Sequence, residues 1–429
     1  MAVASPARTR PVLNPDGTPL NVLQAAQARI NRVFSDFPRV YLSFSGGKDS
    51  GVMLELAANE ARRRGRRLGV LIVDLEAQYQ HTIDYIRLML HRHADVLDVY
   101  WAALPLNLRN AVSHYQPQWM CWDPGQRENW VRPLPEWDSA QAGTGGPGVI
   151  ADEEFFDFFR RRMEFEEFVP EFGRWYSRQT PDGREQLTAC LVGIRTQESL
   201  NRFRSIARRD KRMHDGHQWT TWIEGGLYNT YPLYDWRTED IWRFYSRTKT
   251  PYNVLYERMY QAGLTIHQAR ICQPYGDDQR RGLWLYHLIE PHTWARVVAR
   301  VEGANFGAQY ATTTGNMLGR IKITKPDGLT WKQYVHQLLD FMPPPTAEHY
   351  RNKIHRFLEW YHTRGYPDGE IPDEGPITSK QIPSWTRIAK VLLAFDYWCK
   401  GLSFSPTQPR AYKKYQEMRK RRRAANPWI

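Results

Sequence analysis

At 429 residues, with a formal net charge of +13 and a mean hydropathy of −0.64, the chain is long enough for two domains and holds no apolar run of membrane-spanning length. Cys121, Cys190, Cys272 and Cys399 stand far apart with no CxxC or CC pair, which argues against a zinc ribbon or a conventionally spaced iron–sulfur cluster and fits a reducing compartment. The positive balance favours anionic partners, nucleotide or nucleic acid, and the 17 tryptophans serve packing in the main, with some suited to stacking on bases.

Residues 1–20 contain Pro and Arg without a continuous apolar stretch, so no secretory signal is expected and the cytoplasm is the expected compartment. Asn21 to Phe37 predicts an amphipathic helix, with Leu23, Ala26, Ile30 and Val33 on one face and Asn21 as its cap. Val40 to Phe44 predicts a buried strand. It breaks into Ser45-Gly46-Gly47-Lys48-Asp49-Ser50, and the apolar positions that follow have helical spacing.

A strand, a Gly-Gly loop and a helix start together present backbone N–H groups and a positive helix end to one point, which suits phosphate or pyrophosphate. Lys48 would add charge and Ser45 and Ser50 hydroxyl donors, while Asp49 suits a Mg²⁺ or a helix cap. Leu42 stands where a Walker A loop requires glycine. A purely structural Gly-Gly turn is the plain alternative. The hexapeptide resembles the PP-loop of the ATP pyrophosphatase and adenylyl-sulfate (PAPS) reductase superfamily.

Leu68 to Asp74 predicts a second buried strand, placing Asp74 and Glu76 at its carboxyl end as candidates for ribose, metal or substrate contact, or as an ordinary acidic loop. A helix over His81 to His93 and a strand over Val96 to Trp101 continue the alternation, so a doubly wound, mostly parallel Rossmann-like α/β sheet is expected. Residues 105–150 lose the pattern and interleave Trp119, Trp122, Trp130 and Trp137 with Arg127 and Arg132. This stretch reads as an insertion that either faces substrate as a lid or packs on the sheet.

Asp152 to Arg178 predicts a charged helix, and Gln186 to Ile194 a strand delivering Arg195 into the crevice, with Arg202 on the same helix face and Glu198 orienting either arginine. Gly193-x-Arg195-x-x-Glu198-Ser199 resembles the second signature of the same superfamily. Tyr228 to Trp242 predicts a strand, a Pro turn and a helix capped by Asp235 or Thr238; it resembles the Pro-Leu-x-Asp-Trp signature of PAPS reductases.

Beyond Pro251 only helices are expected: Pro251–Gly263, Leu283–Glu302, Trp331–Phe341, Ala347–Arg364 and Trp385–Lys400. The expected organisation is a PP-loop α/β domain at 21–250, a helical domain at 251–410 and a basic tail at 411–429, which is either solvated or binds nucleic acid. Cys272 to Gln279 and Tyr397 to Phe404 resemble stretches of the family of the bacterial immunoglobulin-binding regulator A, which implies a PP-loop protein working with a ParB-like partner. PAPS reductases carry a nucleophilic cysteine near the C-terminus, and the tail here has none. His91/His93 and His214/His217 do not match a metal pair.

The resemblance implies ATP, or PAPS, with its phosphates on Ser45, Gly46, Gly47, Lys48, Asp49 and Ser50, contacts from Asp74, Arg195 and Arg202, and Mg²⁺ on Asp49 and Asp74. Lys48, Asp49 and Arg195 are the expected catalytic groups, in cleavage between the α- and β-phosphates that adenylates an acceptor. Two alternatives stand: a sulfonucleotide reductase or sulfotransferase using Cys121 or Cys272, and a nucleotide-sensing regulator without turnover.

Overall fold

The computed structural model describes residues 20–402 apart from 114, 199, 209, 272–275, 277–281, 305–322, 363–370, 376–382, 395 and 398. The segment 1–19, the tail 411–429, Cys272, most of the stretch that follows it and part of Tyr397–Phe404 lie outside the described residues. The chain divides into one unit formed by Met1–Leu108, Met120–Gln273 and Leu288–Arg296, and a second formed by Arg109–Trp119, Pro274–His287 and Val297–Ile429.

In the first unit α1 (Val22–Asp36) opens on a capping box, Asn21 accepting from the Gln24 N–H and the Gln24 side chain accepting from the Asn21 N–H. Its apolar stripe of Ala26, Ile30 and Val33 is buried. Seven strands follow along the chain: β1 (Arg39–Ser43), β2 (Leu68–Val73), β3 (Leu97–Ala102), β4 (Gly145–Ile150), β5 (Thr188–Leu191), β6 (Thr220–Glu224) and β7 (Leu227–Thr230). They lie in the order β4-β3-β2-β1-β5-β7-β6, all parallel except β6, which runs antiparallel to β7. The same unit holds helices α2 (Lys48–Arg63), α3 (Gln80–Arg92), α4 (Phe165–Ser177), α5 (Leu200–Ala207), α6 (Thr238–Thr248) and α7 (Leu255–Gln261). Strands β1 and β2 are apolar almost end to end because helices cover the sheet, and the expected Rossmann-like α/β class is the one observed.

Three local readings are corrected. Gly145–Ile150 is not irregular: it is the outer strand β4, and its glycines and Pro147 are tolerated because only one edge of it pairs. The helix expected over Asp152–Arg178 begins only at Phe165; before it Phe155 and Phe156 turn their rings onto Trp175, and an aromatic cluster replaces helical spacing. The helix expected over Leu283–Glu302 is two, α8 (Leu283–Ile289) and α9 (Pro291–Arg300), because Pro291 cannot continue a helix and starts one instead.

In the second unit α10 (Trp331–Asp340), α11 (Pro344–His362) and α12 (Trp385–Leu393) bury Val335, Tyr350, Phe357, Ile388 and Leu392 in their own core. Thr330 and Gln333 form a capping box at α10, and Ser384 caps α12.

Neither residue expected to cap α6 does so. Its N-cap is Arg237, with Asp240 accepting from the Arg237 N–H, while Asp235 receives both guanidinium arms of Arg29 at 2.8 and 2.6 Å. Arg29, 5% exposed, also donates to the Pro232 carbonyl at 2.8 Å and so ties α1 to the turn before α6. Arg29→Ala would leave a carboxylate and a carbonyl short of donors. We expect a loss of about 2–3 kcal/mol by urea unfolding, less than for a fully buried pair because Asp235 keeps contact with water. An unchanged midpoint would show the pair to be without weight.

Candidate functional site

The chain builds β1 to β4 outward on one side and returns to place β5 on the other side of β1, so the strand order reverses between β1 and β5. Loops leaving the carboxyl ends of two parallel strands on either side of such a reversal diverge and leave a crevice. Ser45–Gly47 leaves β1 there, and Gly193–Glu198 leaves β5.

Gly46 has φ +70°, and a methyl group on it would stand 2.8 Å from Thr82 Cγ2, so the turn requires glycine twice over. Gly47 is the N-cap of α2 and supplies no side-chain cap, which leaves the positive end of the helix facing the loop. The Ser45 and Ser50 hydroxyls lie 3.1 Å apart, and Ser50 Oγ donates to the Gly47 carbonyl at 3.1 Å. The two loops meet closely: a Cβ on Gly193 would fall 2.9 Å from the Ser50 backbone nitrogen.

That approach brings the expected charged groups together. Arg195, 2% exposed, donates through Nε to Asp49 Oδ1, and Lys48 Nζ lies 3.6 Å from Asp49 Oδ2. Lys48 is 4% exposed; burial lowers its pKa from the usual lysine value, Asp49 opposes the shift, and Arg195 and Arg270 add to it. Arg195 is held by a second layer, Gln197 Oε1 accepting at 3.3 Å and Thr238 Oγ1 at 3.4 Å, and Glu198 lies 3.6 Å from its far arm. Arg202 sits on α5 whereas Arg195 precedes that helix, so they do not share a helix face; Arg202 is exposed and pairs with Glu198.

Composition and motif gave no sign of the residues that hold the loop from behind. Tyr256 accepts from the Lys48 N–H at 3.0 Å, and its ring lies 4.9 Å from Lys48 Nζ, which donates to the Ala269 carbonyl at 3.2 Å. Tyr245 donates to the Lys48 carbonyl at 2.7 Å, and Asn253 donates to the Gly46 carbonyl at 3.0 Å and to Thr82 Oγ1 at 3.1 Å. Tyr245 lies on α6, and Asn253 and Tyr256 fall in the stretch expected as a helix over Pro251–Gly263, whose pattern does not say what it would grip.

Asp74 and Glu76 are fully buried and already engaged. Asp74 Oδ1 accepts from Arg132 and from the Glu76 N–H, and Oδ2 from the Trp101 indole at 2.9 Å. Glu76, at φ +59°, accepts from the N–H groups of Trp122 and Val131 at 2.6 and 3.0 Å. These carboxylates anchor the Trp-rich insertion onto the sheet edge, and Trp122 packs there, fully buried.

The loop suits linked phosphates: a Gly46 turn at positive φ, a helix head whose N-cap Gly47 brings no side chain, and two cations at one carboxylate. The carboxylates do not suit a divalent ion as they stand, because Asp49 and Asp74 each accept from a guanidinium, and among the described residues no cluster of three metal-ligating side chains forms.

Residues 178–262 match the family described as Phosphoadenosine phosphosulfate reductase domain, and residues 263–371 the family described as Domain of unknown function (DUF3440). The first match contains Gly193, Arg195 and the turn into α6, so residues 178–262 are similar to a PAPS reductase domain. Among solved structures it is similar to phosphoadenylyl-sulfate (PAPS) reductase from Candida auris (14% identity, 54% of this chain and 83% of that one, TM-score 0.28). It is also similar to FMN adenylyltransferase from Candida glabrata (17%, 55% and 56%, 0.30) and to the U34-tRNA thiolase NcsA from Methanococcus maripaludis (10%, 69% and 83%, 0.29). Over 410 residues, 94% of this chain and 96% of the relative, it is 46% identical to the protein named Uncharacterized protein YbdN of Escherichia coli (strain K12), and the chain belongs to that protein's family.

Proposed function

We propose that the protein is a PP-loop enzyme that binds ATP with its phosphates over Ser45–Ser50 and transfers the adenylyl group to an acceptor. The observation that carries this reading is the meeting of Lys48 and Arg195 on Asp49 at the head of α2, whose N-cap is Gly47. An acceptor lone pair attacks the α-phosphorus, the bond from that phosphorus to the bridging oxygen breaks, and pyrophosphate leaves with the electron pair. The charge gathering on the departing oxygens is met by Lys48, Arg195 and the loop N–H groups, fixed in place before the reaction. No step is routed through Mg²⁺, since Asp49 and Asp74 are taken up by arginines.

The match of residues 178–262 favours a second reading, PAPS as the nucleotide. Reduction would then need a thiolate, and the described thiols are poorly suited to it. Burial pushes Cys190 and Cys399 up to about 12, and Cys121 is fully buried with its thiol donating to the Leu104 carbonyl at 3.4 Å.

Incubation with ATP is expected to release pyrophosphate once the acceptor is supplied. Adenosine 3′,5′-bisphosphate and sulfite from PAPS would replace adenylation by reduction, and binding of either nucleotide without turnover under all conditions would mark a sensor working with a ParB-like partner. Lys48→Ala and Arg195→Ala are each expected to lower turnover by about 10²–10³-fold. Arg195→Lys, which keeps a partner for buried Asp49, separates charge loss from misfolding.

Phosphate affinity requires a protonated Lys48. With its pKa lowered by burial, affinity should fall as pH rises, starting below the ordinary lysine range, and Lys48→Arg should abolish that fall. Gly193→Ala puts a methyl 2.9 Å from the Ser50 nitrogen and 3.1 Å from the Asp49 carbonyl carbon, both backbone atoms that cannot swing aside. Spreading the loops at a cost of about 1–3 kcal/mol should weaken nucleotide binding in calorimetry while the circular dichroism spectrum stays unchanged.

A further inference from the structure

Within the first unit, a groove of about 550 Å³ runs along the Trp-rich insertion, bounded by Arg127, Trp130, Arg132, Glu136 and Arg296 with a wall of residues 133–135. Pro133 and Pro135 hold that wall extended. Trp130 is partly exposed yet fixed: its indole N–H donates to the Asp123 carbonyl at 2.9 Å, and its ring meets Trp122 edge-on at 5.1 Å and 89°. Behind it Trp122 donates its own indole N–H to the Asp74 carbonyl at 2.9 Å.

Three arginines and one acid line the groove, so its charge is net positive. The Arg127 guanidinium, exposed, lies 5.6 Å from the Trp130 ring centroid, and Arg296, also exposed, reaches the Trp130 carbonyl at 3.3 Å. Arg132 is 8% exposed; it is paired with Asp74, but its Nε–H is buried with no hydrogen-bond acceptor among the described residues. Glu136 is the one acid lining the groove, against Arg127 and Arg296, which form no ion pair with a carboxylate among the described residues. A fixed indole face under a movable guanidinium, with a second guanidinium close by, recognises a flat ring carrying a phosphate.

We infer that this groove binds a nucleobase together with its phosphate, the base entering between Trp130 and Arg127 and the phosphate taken by Arg127 and Arg296. The same carboxyl edge of the sheet carries both sites. Asp74 and Glu76 fix the insertion, and the segment they begin continues into α3, whose Thr82 packs against Gly46. Resting on the reading given under Proposed function, the groove makes a nucleobase-bearing molecule the acceptor class. The binding itself does not depend on that reading.

The test is fluorescence anisotropy of a short labelled single strand of mixed-sequence RNA on the full chain without ATP, with AMP and poly-glutamate as competitors. Binding should weaken as salt rises, and Trp130→Leu should weaken it about 5- to 100-fold. Arg127→Glu and Arg296→Glu, on exposed side chains that leave the fold alone, should weaken it at least as much, while Lys48→Ala binds like the parent. Competition by AMP at matching concentration identifies a mononucleotide as occupant, and competition by strands alone a polynucleotide; both uphold the groove. The inference is overturned if the arginine variants bind like the parent, if poly-glutamate competes as well as RNA, or if Lys48→Ala is the variant that loses the strand. RNA binding retained in a protein that never releases pyrophosphate would remove adenylation and leave the groove standing.

Discussion

Asp49 holds two buried cations at the head of one helix, and the first unit is arranged so that it can. Taking an isolated charge out of water costs several kcal/mol, and a single carboxylate cannot fully offset both a guanidinium and an ammonium. Glu198 offsets part of the excess but is shared between Arg195 and Arg202, so the cluster of Lys48, Asp49, Arg195, Glu198 and Arg202 still carries a surplus positive charge, and the N-terminus of α2 adds to it. Burial answers the surplus in part by weakening the hold of Lys48 on its proton. A bound anion answers it better, because it lets both cations remain charged without water.

The topology supplies the convergence. Arg195 is 146 residues from Asp49, and the two meet because β5 lies beside β1 in parallel register, with Leu42 opposite Leu191. Gly193 then lets the second loop pass within contact of the first turn of α2. The helical region that follows β7 is part of the same device, since Tyr245, Asn253 and Tyr256 grip the Gly46 carbonyl and both backbone groups of Lys48 from behind. The loop is thus held by side chains as well as by its own hydrogen bonds.

Much of this was legible in the sequence where chemistry is local. The β1–loop–α2 unit could be read from an apolar run, two glycines and a returning helical period, and the cap of α1 from Asn21. Buried parallel strands announce themselves as continuous apolar runs, so β2 and β3 were placed within a residue, while β5 was found inside a longer expected run over Gln186–Ile194. What could not be read depends on distance in sequence. Asp74 looks like a ligand because it ends a strand, and only the fold shows that Arg132 and Trp101 have already claimed its oxygens. Asp235 looks like a cap until Arg29 reaches it from 206 residues away. Strand β4 escaped because its glycines and proline carry no periodic signal, and its place is fixed by the pairing offered by β3.

That outer strand has a consequence for how the molecule behaves among its neighbours. A sheet of seven strands ends in two rows of unpaired peptide groups, each a template on which another chain could extend it. At β4 the row is broken by Pro147, which has no N–H, and the positive φ angles of Gly146 and Gly148 turn the backbone out of a flat pleat. The composition that hides β4 from sequence patterning thereby makes it a poor seed for intermolecular sheet growth.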